Sequence, residues 1–210
     1  MNLKQAKEIT GHHSGLGKPS KMPGFSTALS AARCILGSIL AGIEGTGCRN
    51  CYAARGNYLY PDVKLGHERR YQALTNPLWT DGMVKLIGHY TDPNDPYFRI
   101  HDSGDFQNVD HVLMWVEVAE RLPWVEFWAP SREGKMIREA FVRVAAWPVN
   151  LVIRLSATMI GGKPPRTDLP TSTIDAGMGH GCPALKQDGK CGSCRACWNP
   201  KVSNIDYHKH

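Results

Sequence analysis

Between residues 97 and 156 short apolar segments alternate with helical patterns, and this alternation constrains the fold more than any other feature of the sequence. Tyr97-Phe98-Arg99-Ile100-His101 reads as a strand ending in Asp102-Ser103-Gly104-Asp105. Val109, Val112, Leu113, Val116 and Ala119 then recur at helical spacing from an Asn108 cap to Arg121, and Pro123 closes that helix. Val125–Trp128 is the next strand, Lys135–Ala146 the next helix with Ile137, Phe141, Val144 and Ala145 facing inward, and Asn150–Ser156 a third strand. An earlier helix is expected over residues 80–90 behind a Thr80 cap. Strands joined through helices form parallel sheets with right-handed crossovers. The polar strand ends, His101 to Asp105, Ser131 with Arg132, and Arg154 with Ser156, should therefore share one ligand-binding mouth.

The flanks carry the cysteines. In Cys182-x8-Cys191-x2-Cys194-x2-Cys197 the last three cysteines set three thiols on one compact, glycine-containing turn, and Cys182 is close enough to supply a fourth. Such a set suits an iron–sulfur cluster, with a structural zinc site as the alternative. His180 could take the place of one thiolate. Cys34, Cys48 and Cys51 form a trio, and a trio on a cubane leaves one iron without a protein ligand. Two sites, or one site drawing on both ends of the chain, are both compatible with the spacing. An odd count of seven cysteines does not suit a disulfide framework.

The excess of 25 Lys and Arg over 19 Asp and Glu gives a net charge of +6, which favours a polyanionic partner. Arg49, Arg55, Arg69, Arg70, Arg132 and Arg195 are the candidate nucleic-acid contacts, several of them interleaved with Tyr52, Tyr58, Tyr71 and Trp198 as stacking groups for single strands. Asp102 and Asp105 are the candidate catalytic acid/base pair, with Arg132 and Arg154 as oxyanion-binding forks. His12, His13, His208 and His210 are expected in solvent, and Trp115, Trp124, Trp128 and Trp147 in the core. No apolar run approaches the roughly 20 residues of a membrane-spanning helix, and the start of the chain has no apolar signal core, so a cytoplasmic protein (host cytoplasm if phage-encoded) is expected.

The stretches KMPGFSTALSAARC, GTGCRNCYAARGNY, HDSGDFQ, FWAPSRE, NLVIRLSAT and CGSCRACW resemble the phage gene-88-product family across nearly the whole chain. CRNCYAAR ahead of α/β units is also similar to radical S-adenosylmethionine proteins. That resemblance implies a 4Fe–4S cluster on Cys34, Cys48 and Cys51 with S-adenosylmethionine as cofactor, although thirteen residues separate Cys34 from Cys48 here. HDSGDFQ resembles a guanine-transglycosylase stretch, which would make Asp102 a base-recognising carboxylate, with Asp105 standing where that pattern has glycine.

The expected molecule is a partial parallel β/α barrel or open sheet. Residues 1–24 form an arm of surface coil, and residues 25–210 a single α/β domain with its cysteine cluster at 182–198. Loop-rich N- and C-terminal segments cover a cysteine-ligated metal site. The expected function is that of a 4Fe–4S phage-type protein associating with nucleic acid, in particular single-stranded DNA. A radical-type or base-exchange enzyme on nucleic acid, and a zinc-stabilised binding module, are the alternatives.

Overall fold

The computed structural model describes residues 1–209. The elements in chain order are α1 (Leu3–Ile9), β1 (Phe25–Ser26), α2 (Ile35–Ala41), α3 (Pro61–Ala73), α4 (Trp79–Tyr90), β2 (Tyr97–Arg99), α5 (Val109–Arg121), β3 (Glu126–Ser131), α6 (Gly134–Arg143), β4 (Leu151–Ser156), β5 (Thr171–Ile174), β6 (His180–Gly181) and β7 (Asn204–Tyr207). The strands form one seven-stranded sheet in the order β1-β2-β3-β4-β5-β7-β6, every pairing parallel. It does not close into a barrel: β1 and β6 are its edges. The β1 edge is met by an antiparallel bridge from Gly17 to Ser26.

Alternation along the strands sorts side chains to two faces. Phe98, Phe127, Ala129, Leu151, Ile153 and Leu155 enter one core with Met83 and Ile87 of α4, Val112, Trp115 and Val116 of α5, and Ile137 of α6. The other face carries Arg99, Trp128 and Arg154. Trp198 covers it, with ring centroids 5.2 Å from Trp128 and 5.1 Å from Tyr97, and its indole N–H donates to Phe98 O at 3.1 Å. Arg154, fully buried, donates to the carbonyls of Cys197 (3.0 Å), Ala196 (2.9 Å), Asn199 (2.8 Å), Val202 (2.7 Å) and Thr171 (3.4 Å). Its fork therefore clamps the C-terminal loop onto the sheet instead of binding an oxyanion at the mouth.

Several expectations are corrected. Residues 1–24 are not all coil. Asn2 and Gln5 close a capping box on α1, which packs on α4. Gly24, at φ +67°, runs so close to β2 that a Cβ there would lie 1.7 Å from Tyr97 O. His12 is buried, with Nδ1 donating to Thr10 O (2.9 Å) and Nε2 accepting from the Thr27 hydroxyl (2.8 Å). The helix expected from Thr80 starts at Trp79, and the one expected to reach Ala146 stops at Arg143, leaving Phe141 and Ala145 exposed while Ala140 is buried. The strand expected over 97–101 ends at Arg99, because His101 turns the chain at φ 60°. Trp124 is exposed. The C-terminal third, expected as loop, supplies β5, β6 and β7. His13 and His208 are exposed as expected, and His210 lies outside the described residues.

Candidate functional site

The segment after β1 delivers Cys34 at the start of α2, and the loop after α2 delivers Cys48 and Cys51. That loop is pinned from below. The buried Thr46 hydroxyl donates to Leu40 O (2.6 Å) and Ile43 O (2.9 Å), and Gly47 N–H donates to Thr158 O beyond β4 (3.1 Å). A Cβ on Gly37 would sit 3.5 Å from Cys34 Sγ and 3.7 Å from Cys48 Sγ, so a side chain at residue 37 would press against both sulfurs. Burial pushes the Cys34 thiol up to about 12, and Asp105, Cys51, Cys48 and Glu133 push the same way. Burial raises Cys48 too, while the Arg132 guanidinium pulls it back. Arg132 also lies against Gly47, where a Cβ would be 2.9 Å from its terminal nitrogen, and its buried Nε has no hydrogen-bond partner.

Beneath the trio, Asp105 is buried and accepts from the Ser131 hydroxyl (2.6 Å), Arg132 N–H (2.9 Å) and its neighbour Phe106 N–H (2.8 Å). Burial lifts its carboxyl to about 6 against those hydrogen bonds. Glu133 accepts from Leu36 N–H at 2.8 Å, holding the first turn of α2 and so Cys34 in place. Asp102 does not join Asp105 in an acid/base pair. It accepts from Tyr58 Oη (3.1 Å), stands 3.5 Å from Arg99, and lines a separate cavity of about 320 Å³ between β1 and α3. His101 is buried, edge-on to Phe106 and His111, and neither of its ring nitrogens has a partner.

The other four cysteines gather on the covered face of the sheet. Cys182 follows β6 directly, Cys191 N–H donates to Lys21 O at 2.8 Å, and Cys197 Sγ lies 3.1 Å from Tyr207 Oη. Burial raises Cys191, with Cys182 and Cys194 adding to it. It pushes Cys197 to about 11, where the Tyr207 hydrogen bond and Arg154 oppose it and Cys182 and Cys191 reinforce it. His180 Nε2 is 3.6 Å from Cys194 Sγ. The thiols thus fall into two groups, Cys34, Cys48 and Cys51 in one and Cys182, Cys191, Cys194 and Cys197 in the other, each acting electrostatically within its own group. Between them lies Arg99, over the Trp128 ring (4.9 Å to its centroid) and 3.0 Å from Tyr52 Oη. Among the described residues, no three His, Cys, Asp or Glu side chains are grouped so as to hold a metal ion.

Of the arginines, Arg49, Arg55 and Arg69 are exposed. Arg132 faces Cys48, and Arg70 lines the cavity beside Asp102. Arg195 is occupied within its own loop, donating to Gly192 O (2.7 Å) and Cys194 O (3.0 Å) and stacking on Tyr97. Sequence reasoning missed Arg99, Glu133, His67 and Tyr207 as neighbours of these groups. Only the Arg99 alternation with Phe98 signalled that it points away from the core.

Compared with known protein families, residues 3–200 match the family described as Gene product 88. No curated protein and no solved structure matches the chain. Among the described residues no helix is long and apolar enough to cross a membrane.

Proposed function

We propose that this chain, which belongs to the gene product 88 family, is an iron–sulfur enzyme that works on nucleic acid. A 4Fe–4S cluster would sit on Cys34, Cys48 and Cys51, and a second on Cys182, Cys191, Cys194 and Cys197. The observation that carries the reading is the trio itself: three thiols brought together beyond the first strand of an open parallel sheet, with the unpartnered Arg132 Nε beside them.

Thiolate-only sets of three and four are the donors a cluster takes, with a structural zinc site as the alternative. Ligands on one zinc at about 2.3 Å stand roughly 4 Å apart, whereas a cubane carries its thiolates on separate irons and spreads them wider. A cluster with one iron free of protein ligands supplies one-electron reduction at an open coordination position, the chemistry by which S-adenosylmethionine is cleaved.

The chain's own groups then have definite tasks. Glu133 and the Asp105–Ser131 hydrogen bond fix α2 and the strand end under the trio, and Arg132 supplies positive charge where an anionic substrate or cofactor group would approach. Because burial raises Cys34 and Cys48, loading must release protons and grow tighter as pH rises. Exposed Arg49, Arg55 and Arg69 would meet phosphates.

Iron, acid-labile sulfide and zinc are to be quantified on protein purified without oxygen, with Mössbauer spectra. The reading expects about eight irons per chain, about four of them lost in Cys34→Ala/Cys48→Ala/Cys51→Ala. Reductive cleavage of S-adenosylmethionine should vanish in the same variant. Colourless protein carrying zinc would overturn the reading in favour of a structural module. Single-stranded DNA affinity that is negligible at low salt would remove the nucleic-acid part.

A further inference from the structure

The cavity beside Asp102 contains a feature that the cluster reading leaves unused. Arg70 reaches out of α3 with its Nε–H donating to Ala28 O at 2.6 Å. Among the described residues its two terminal nitrogens have no hydrogen-bond partner and no carboxylate within 4.0 Å. Burial and the adjacent Arg69 lower its pKa to about 10, which still leaves it charged near neutrality. A half-buried guanidinium with no carboxylate bonded to it leaves its donors free for a ligand, and Asp102 in the same wall favours its charged form only from a distance. His12 and His67 are held neutral, at about 3 and about 4, by burial and by Arg70 itself. Asp102, in the same wall, is already shared with Arg99 and Tyr58 and makes no hydrogen bond or ion pair with Arg70.

The position is built, not incidental. Gly11, at φ +70°, presses the N-terminal turn onto α3, where a Cβ would lie 2.7 Å from Arg69 C and O and 2.8 Å from Arg70 N. That contact brings His12 into the wall opposite α3. The volume, about 320 Å³, is in the range of small-molecule sites. It exceeds what a bare oxyanion needs. Tyr58 and Val63 give the cavity an aromatic and an aliphatic surface, while Asn57, Ser26 and the Asp102 carboxylate offer polar groups.

We infer that this cavity is a nucleotide site in which Arg70 binds one phosphate group and Asp102 accepts hydrogen bonds from donors on the sugar or base. The ligand class is a nucleoside monophosphate, either free or as the phosphorylated end of a strand. A fork-shaped guanidinium suits phosphate oxygens, and Asp102, partly neutralised by Arg99, can accept from hydroxyl or amino groups without repelling the phosphate across the cavity. The inference deepens the nucleic-acid reading but needs no cluster. Iron and sulfide measured on the same preparation stand or fall separately.

The test is calorimetric titration of the full chain with AMP and GMP, with adenosine and guanosine, and with inorganic phosphate. The monophosphates should bind about ten-fold or more tighter than the nucleosides, and Arg70→Met should erase that difference. Competition by a 5′-phosphorylated oligonucleotide, and not by its unphosphorylated twin, would assign the phosphate to a strand end; competition by neither would assign it to a free nucleotide. Should Arg70→Met fail to fold, the salt dependence of the wild type decides: the monophosphate advantage must shrink as ionic strength rises. Nucleosides binding as tightly as monophosphates, no monophosphate binding at millimolar concentration, or an advantage indifferent to salt would each overturn the inference.

Discussion

Replacing Arg154 by methionine should be among the most damaging single changes in the protein. Its guanidinium makes five hydrogen bonds to carbonyls, four of them on residues 196–202. Methionine fills much of the same space but donates nothing. Each carbonyl left buried without a donor costs about 1–3 kcal/mol. The terms are not additive, and removing a buried charge returns some desolvation energy. A net loss of about 3–5 kcal/mol is expected, a large part of the roughly 5–15 kcal/mol by which a domain is stable. In thermal unfolding this corresponds to a fall of roughly 6–20 °C. Arg154→Lys, with a point charge in place of the fork, should recover only part of it. Urea denaturation gives the free energies, and limited proteolysis should report release of residues 182–198 first. A loss below about 1 kcal/mol, or a loop as protected as in the wild type, would refute the reasoning.

Other expectations follow from the same geometry. Trp198→Ala should cost about 3–5 kcal/mol in urea unfolding, since the indole fills the covered face and donates to Phe98 O. Gly24→Ala should fail to give folded protein or lower stability by more than about 3 kcal/mol, judged by circular dichroism, because a Cβ would meet Tyr97 O at 1.7 Å. His12 and His111 are both held at about 3 in the folded chain, mainly by burial, whereas the unfolded chain titrates at 6.5. Above 6.5 both states are neutral and stability is unaffected. As pH falls from 6.5 towards 3 the unfolded state takes up the protons, so stability should drop by about 1.4 kcal/mol per pH unit for each histidine. Denaturant midpoints across that window check the sign.

The central units were legible because their helices bury apolar stripes. In α5, Asn108 accepts from His111 N–H and the spaced valines meet the core as the pattern requires. α3 left no such trace: it buries Gly66 and His67 while exposing Leu65, and its one local signal is Pro61 at the first turn. β5 and β7 escaped notice because they are polar. Thr171 donates to Asn204 Oδ1 (2.8 Å) and Thr173 to Asp206 Oδ1 (2.7 Å), so hydrogen bonds replace the apolar alternation that marks a strand. α1 could have been found from Asn2 and Gln5, whose spacing is that of a capping box. At the site, cysteine spacing left one group or two open, and only the fold sets Cys34, Cys48 and Cys51 apart from the C-terminal four. Sequence neighbours misled in two places. Asp102 and Asp105, three positions apart, take different partners because Gly104 turns the chain at φ +84° against Leu29. Arg154 and Arg195 brace loops that lie far from them, or around them, in ways only the folded chain defines.

The order of the strands imposes a timetable on assembly. β6 touches the sheet only through β7, which slips between it and β5 although it is made later. While the chain is still on the ribosome, residues 180–181 have no edge to dock against until residues 204–207 emerge, and the adjoining Cys182 stays unanchored with them. A chain stalled or cleaved after Ser203 would lack the only strand that β6 pairs with, so Cys182 could not be set beside Cys191 and Cys197 as the sheet sets it.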